Sequence, residues 1–295
     1  MLAVLRRWCA VASVCATMLA APLLDSTHLA NAGTVPCGVS TVVGPNGASW
    51  HCSFDDEFSG PGLDGSKWYV QTTYGSGFTD GTSCFTNNKH NVSVANGVLT
   101  LTVYKTPAPF TCQSPAGAFT TQYAAGEVAT LGRFSQTYGR FSINAAFPAT
   151  AQQGLQSSLW LYPVDGTKYG TWPRSGEIDI AEEYSRYNDR AIPYVHYAPA
   201  APDPYVTNTM CLIADVSAFH TYTVDWTPTT IRISFDGQQC LSDRWNPQAP
   251  LVAPQPFDSP FMVALTAAIG SGGNALTSTT PFPQATKINW VRVWG

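Results

Sequence analysis

The segment Thr230-Ile231-Arg232-Ile233-Ser234-Phe235 is apolar at every second place and runs into Asp236-Gly237. Two-residue alternation of β-branched and aromatic side chains describes a strand with one buried face. Asp-Gly is a dipeptide that closes a tight hairpin. Comparable segments recur at Val98–Tyr104, Gly139–Phe147, Ser157–Tyr162, Glu177–Glu182, Tyr222–Trp226, Phe261–Ala268 and Ile288–Trp294. The 24 Gly and 22 Pro are spread along the chain, as turns between many short strands require. No amphipathic helix of ordinary length stands out, and no linker, heptad or low-complexity segment follows the N-terminal region. Many strands without helices predict a sandwich, jelly roll or barrel. The 295 residues suit one large jelly-roll sandwich.

The N-terminus reads as a targeting segment. Arg6 and Arg7 precede an apolar run from Trp8 to Leu24, followed by a polar patch and Ala30-Asn31-Ala32. A charged region, an apolar region and a small-x-small site describe a secretory signal, with cleavage expected after Ala32. Ser13, Thr17 and Pro22 weaken the alternative of an uncleaved anchor, and no later apolar run is long enough to span a bilayer. Residues 1–32 are therefore expected to leave and 33–295 to fold as one domain, secreted or held in the cell envelope, without stable membrane insertion.

Removing Arg6, Arg7 and Asp25 from the 15 basic and 19 acidic residues leaves 13 and 18, a net charge of −5. This excludes the clustered basic surface that nucleic acid demands. Only 12% of residues are charged, about half the usual share, while nine Trp and thirteen Tyr are present. An aromatic, nearly neutral surface suits an uncharged ligand with flat apolar faces, such as a sugar polymer, although most of these rings are expected in the core. Six cysteines remain after loss of Cys9 and Cys15. An even count in an exported chain predicts disulfides, and six cysteines allow fifteen pairings. Pairing of sequence neighbours, Cys37–Cys52, Cys84–Cys112 and Cys211–Cys240, is the expectation. No clustered Cys/His spacing for zinc is present.

Ser175–Glu183 concentrates four acids, Glu177, Asp179, Glu182 and Glu183, among Ile178, Ile180 and Ala181. On a strand, Glu177 and Asp179 share a face. Glu182 joins them only if one extra residue, a β-bulge near Ile180 or Ala181, resets the alternation; otherwise Glu183 does. A helix, which would align Asp179 with Glu183, is disfavoured by the Ile pair and by Pro173 and Gly176 upstream. A solvated acidic edge strand is the plainer alternative. Acids crowded together repel, so that one keeps its proton near neutral pH, and one ionised plus one protonated carboxyl is what glycosidic cleavage needs.

The run Glu177-Ile178-Asp179-Ile180-Ala181-Glu182 resembles the bulged E-x-D-x-x-E signature of glycoside hydrolase family 16. The likeness extends over nearly the whole mature chain. Phe54-Asp55-Asp56-Glu57-Phe58 with Leu63-Asp64 and Trp68, Asn91-Val92, Gly97-Val98-Leu99-Thr100-Leu101, Gly139-Arg140-Phe141, Leu159-Trp160-Leu161-Tyr162-Pro163 and Trp172-Pro173-Arg174-Ser175-Gly176 occur in the family's order. So do Phe219-His220-Thr221-Tyr222, Trp226, Asp236-Gly237, Pro256-Phe257-Asp258 and Val291-Arg292-Val293-Trp294. The resemblance implies an all-β jelly-roll sandwich of two curved antiparallel sheets with a concave substrate cleft. It implies retaining hydrolysis of β-glycosidic bonds, with Glu177 as nucleophile, Glu182 as general acid/base and Asp179 holding Glu177 by a hydrogen bond. Trp160 and Trp172 would stack on sugar faces, and Asn87, Arg140 and His196 would contact substrate; the alternatives are a core Trp160, a turn Asn87, a strand-surface Arg140 and a structural His196.

The bulged form is more similar to laminarinase-like β-1,3-glucanases than to lichenases or plant transglycosylases, and also occurs in agarases and carrageenan hydrolases. The absence of a basic cluster favours a neutral β-1,3-glucan or mixed β-1,3/1,4-glucan over sulfated galactans. A secreted, endo-acting monomer that needs no cofactor is expected. The alternatives are a glucan transglycosylase and a non-catalytic, lectin-like glucan-binding module, which would have lost a catalytic glutamate. Two positions depart from the family pattern. Leu265-Thr266 stands where relatives carry Leu-Asn, and Asn289-Trp290 stands where an Asp precedes the aromatic. That Asp commonly holds a structural calcium, so the neutral Asn289 predicts a weaker or absent site.

Overall fold

The computed structural model describes residues 37–295; the expected signal segment, residues 1–32, lies outside the described residues. The chain forms sixteen strands: β1 (Thr41–Val43), β2 (Ser49–Asp56), β3 (Tyr69–Val70), β4 (Cys84–Phe85), β5 (Val92–Ala95), β6 (Val98–Cys112), β7 (Phe119–Ala129), β8 (Gly139–Ala146), β9 (Leu155–Pro163), β10 (Glu177–Tyr184), β11 (Ile192–His196), β12 (His220–Thr227), β13 (Thr230–Phe235), β14 (Gln238–Asp243), β15 (Phe261–Ile269) and β16 (Gln284–Trp294). One helical turn, α1 (Thr73–Ser76), is the only α-helix among the described residues. No helix there is long and apolar enough to cross a membrane.

Hydrogen bonding joins the strands in the order β11-β10-β9-β15-β7-β6-β16-β8-β12-β13-β14. The long strand β6 makes the turn between layers. Its first half pairs with β16, and from Tyr104 onward it pairs with β7. The path thus doubles back into a jelly-roll sandwich, with β11-β10-β9-β15-β7 as one layer and β16-β8-β12-β13-β14 as the other. The ladders are antiparallel except for the short β4, which runs parallel to β7.

Alternation explains the packing. Phe141 and Ile143 of β8, Tyr222, Val224 and Trp226 of β12, and Ile231 and Ile233 of β13 are all fully buried. Opposite them, Leu159 and Leu161 of β9, Ile178 of β10, and Val263 and Leu265 of β15 are equally buried. Each such side chain stabilises the fold by roughly 1.5–3 kcal/mol relative to exposure. Asp236 and Gly237 both take positive φ, 48° and 79°, as the tight turn between β13 and β14 requires.

Every alternating segment expected from the sequence is a strand. Strands β1, β3, β4, β7, β11 and β14 were not expected: the first three span only two or three residues, and polar or small residues in β7 and β14 and Pro193 in β11 blur the period. The three disulfides join Cys37–Cys52, Cys84–Cys112 and Cys211–Cys240, with Cα separations of 5.8, 5.8 and 5.5 Å. Asn91, which opens the sequon Asn91-Val92-Ser93, is fully buried; it donates to the Thr102 carbonyl and accepts from the Thr86 hydroxyl. Asn289 turns its amide to Asn144 Oδ1 at 3.1 Å.

Candidate active site

Strand β10 carries the acidic run, and its register decides which acids meet. Against β9, Asp179 pairs with Trp160, but Ala181 pairs with Leu159 and Glu182 with Ser158. Against β11, Asp179 pairs with Tyr194 and Glu182 with Ile192. β10 therefore carries one residue more than the facing stretch of each neighbour, three against two on β9 and four against three on β11, and Ile180 is the extra one. This bulge returns Glu182 to the face of Glu177 and Asp179. Glu183 turns instead into the sandwich interior, fully buried, with both carboxyl oxygens lacking a partner. Burial alone pushes its pKa well above the ordinary range, so it is a neutral core acid.

Glu182 is fixed by three donors. Tyr184 Oη reaches Oε2 at 2.6 Å, while Gln156 Nε2 and Ser158 Oγ reach Oε1 at 2.8 and 3.2 Å. Gln156, Ser158 and Trp160 alternate on β9 and share the cleft face, which is why they meet this acid. Burial first, then the charge of Asp179, raises Glu182 to about 8; the Tyr184 hydrogen bond and His196 oppose this. Glu182 is therefore protonated at neutral pH.

Asp179, only 3% exposed, is held by His196 Nε2 at 2.9 Å. Burial works against the imidazolium, but the Asp179 hydrogen bond and the charges of Asp179, Glu177 and Glu182 raise His196 to about 9. The ring is gripped between Tyr194, stacked at 5.2 Å, and Trp172 at 5.3 Å. Glu177 is raised by burial first and then by Asp179, and lowered by His196. The Trp172 indole N–H also favours its anion, although the contact falls short of a hydrogen bond. The expected hydrogen bond from Asp179 to Glu177 is replaced by the Asp179–His196 pair. Single ligand atoms of Glu177, Asp179 and His196 lie within 4.8 Å of one another and could in principle hold a metal. Protonated His196, however, has no lone pair to offer and already neutralises part of the acidic charge.

Trp160 lies on the cleft face opposite Asp179, 9% exposed, with its indole donating to Thr266 Oγ1 at 2.9 Å and its ring stacked on Phe78 at 5.8 Å. One sequence-expected residue lies elsewhere. Arg140 sits on β8 of the opposite layer and makes a bidentate pair with Asp225 at 2.7 and 2.8 Å. Since its neighbour Phe141 points to the core, Arg140 points away from it and from the catalytic layer; this corrects its expected substrate contact. Asn87 is exposed between β4 and β5, beside a cavity of about 360 Å³ also lined by Asn88, Tyr104 and Phe110.

Sequence reasoning overlooked Glu127. It continues the cross-strand row Glu182–Ser158–Thr266–Glu127, is 1% exposed and leaves Oε2 without a partner. Burial and then the charge of Asp80 push its pKa well up, and burial brings Asp80 itself to about 7. A lone acid inside Ala124-Ala125-Gly126-Glu127-Val128 was the available signal.

The geometry can be set beside known proteins. The model for "Glycosyl hydrolases family 16" matches residues 79–292. The "Glucan endo-1,3-beta-glucosidase A1" of Niallia circulans is 28% identical over 278 residues, covering 87% of this chain; the chain spans 39% of that protein's length. The "Beta-glucanase" of Rhodothermus marinus is 30% identical over 260 residues, 83% of this chain and 85% of that protein. The crystal structure of an endo-beta-1,3-glucanase from Pyrococcus furiosus superposes with a TM-score of 0.72 at 23% identity, covering 87% of this chain and 98% of that one, a likeness of fold.

Proposed function

The chain belongs to glycosyl hydrolase family 16, and from that premise we propose that it is an endo-acting β-glucanase that cleaves β-1,3- or mixed β-1,3/1,4-glucan with retention. The bulge at Ile180 carries the reading, because it gives one protonated and one charge-assisted carboxyl a common face. The endo-1,3-glucanase and β-glucanase relatives support the substrate class.

In the proposed cycle, a β-linked sugar lies across Glu177 and Glu182. Protonated Glu182 gives its proton to the glycosidic oxygen as the C1–O bond breaks. The Glu177 carboxylate forms the new bond to C1, leaving a glycosyl ester. Glu182, now an anion held by Tyr184, Gln156 and Ser158, takes a proton from water as that water attacks C1 and frees Glu177. Retention requires the two carboxyls about 5–5.5 Å apart, so the side chains of Glu177 and Glu182, which flank Asp179 on one face of β10, must lean toward each other over it. Burial and Asp179 raise Glu177 as they raise Glu182, while the positive charge of His196 beside Asp179 lowers both, so the pair shares a proton and Glu177 is the nucleophile in the form in which Glu182 holds it. Trp172 and the edge of Trp160 offer the sugar faces an apolar wall. The three disulfides support an extracellular or cell-envelope location.

The test is incubation with laminarin, barley glucan, agarose and xyloglucan, with products sized and their first-formed anomer read by NMR. Short β-configured products from laminarin or barley glucan are expected. An α-anomer as first product rejects retention, and cleavage of agarose alone rejects the glucan assignment.

A further inference from the structure

A second pair of acids meets at the edge of the sandwich where β11 and β14 approach. After His196, the chain folds back so that the Val195 amide donates to the Val206 carbonyl. After β14, it runs beside this loop. The Ala200 amide donates to the Asn246 carbonyl, and the Gln248 amide to the Ala198 carbonyl. Between the two segments lies a cavity of about 430 Å³, lined among others by Tyr197, Asp203, Tyr205, Asp243 and Asn246.

Asp203 and Asp243 face one another there, near enough for their carboxyl groups to interact directly. Asp243 is 1% exposed, and its Oδ2 has no hydrogen-bond donor. Asp203 is aimed from behind: Tyr197 Oη donates to its Oδ2, and the Tyr205 amide to its Oδ1 at 2.8 Å. The Asn246 amide in turn donates to Tyr197 Oη at 3.3 Å. Arg244 borders the cavity but forms no ion pair with either acid among the described residues. Two oriented acceptors, one of them buried, thus confront each other with nothing positive between them. Burial without compensation is costly for a carboxylate.

We propose that Asp203 and Asp243 form a binding site for a divalent cation of the calcium type, separate from the cleft. The side chains at hand that could ligate a cation offer oxygen, from Asp203, Asp243, the Tyr197 and Tyr205 phenols, Ser242 and the Asn246 amide, with no His or Cys, which selects hard cations over zinc or copper. A cavity of this size leaves room for the waters that complete six to eight ligands, which suits calcium better than the tightly octahedral magnesium. The ion ties the loop 197–207 to the end of β14. Tyr197 directly follows His196 and packs edge-on against Phe257 at 6.1 Å, so the ion anchors the end of the strand that carries the active-site imidazole.

The experiment uses the secreted chain, stripped with chelator and then titrated with calcium, magnesium or terbium. Calcium at about 100 times its Kd is expected to raise the melting midpoint by about 5–10 °C. Terbium should show tyrosine-sensitised emission through Tyr197, displaced by calcium. Both effects should vanish in Asp243→Asn and in Asp203→Asn, the second a less buried change that preserves the fold should the first not. The proposal is overturned if calcium leaves the wild-type midpoint unmoved. Terbium emission of equal strength in wild type and both variants also overturns it, since that places the ion elsewhere. So does a gain in stability of Asp243→Asn with no calcium response in the wild type, the mark of a shared proton only.

Discussion

Glu182 shows how neighbours turn an ordinary carboxyl into a proton donor at neutral pH. Burial and the Asp179 charge raise it, while Tyr184 and His196 hold it at about 8. Activity that needs protonated Glu182 should fall as pH rises through that value, which the alkaline limb of kcat/KM would show. Tyr184→Phe removes a donor to the Glu182 anion, so this limb should move to higher pH. His196→Gln removes a cation that lowers both Glu177 and Glu182, so both limbs should shift upward, by about one pH unit. If His196 only braced the fold, kcat would drop with the limbs unmoved. Glu177→Gln should lower kcat by ~10⁴-fold while glucan binding, read by calorimetry, persists. Glu177, Asp179 and Glu182 were legible as a cluster because acids are rare in this chain. The partner of Asp179 was not, since His196 lies on another strand and only pairing of Glu177 with His196 in β10–β11 brings it near. Arg140 was misplaced for the same reason: a motif position does not say which layer a side chain faces.

The bulge in β10 belongs to the scale of the element. A strand alternates with a period of two, so one residue more or less exchanges its faces. Deleting Ile180 removes the extra residue, so a regular strand reading Glu-x-Asp-x-Glu keeps Glu182 on the face of Glu177 and Glu183 inward. The expected result is measurable residual activity with the sheet retained by circular dichroism, and complete loss in a folded variant would show that the bulge does more than reset the alternation. Sequence parity left Glu182 and Glu183 both open, since the register that chooses between them is set by hydrogen bonds to β9 and β11. Strand β7 carries a second constraint of this kind. A Cβ on Gly126 would stand 2.2 Å from the Asn91 carbonyl oxygen, a backbone atom that cannot swing away. Gly126→Ala should therefore destabilise the protein by about 1–3 kcal/mol in denaturant melts, through overpacking. The alternating strands were readable because each buries one clean face. β15 is buried on both faces, with the small Ala264 paired to Trp160 of β9 on the side that faces away from the sandwich interior.

For the whole molecule, buried acids set the response to pH. Glu127, Glu177, Glu182 and Glu183 are all raised above their ordinary range, as are Asp80 and Asp243. A carboxyl whose folded pKa is raised costs nothing below its unfolded value. Above that value the unfolded chain gains by ionising, so stability falls with rising pH, by about 1.4 kcal/mol per pH unit for each such group until its folded pKa is passed. His196, raised from 6.5 to about 9, acts in the same direction across that window, because its protonated form is the one the fold favours. The melting midpoint should therefore be higher at pH 5 than at pH 8. Glu183→Gln should flatten the slope without touching the cleft face. Opening the Cys84–Cys112 bridge by paired Ala substitution should cost about 3.5 kcal/mol through the freed unfolded chain, as a loop of 28 residues separates its ends. By itself the sequence determined the all-β class, the strands with one apolar face and the segment that bears the acids, because periodicity and residue chemistry are local. Only the tertiary structure decided that Glu182 rather than Glu183 shares the face of Glu177, that His196 grips Asp179, that Glu127 lies in line with Glu182, and that Arg140 looks the other way. Those relations depend on which strands hydrogen-bond and in what register, and long-range burial settles that by choosing the pairing that closes the core.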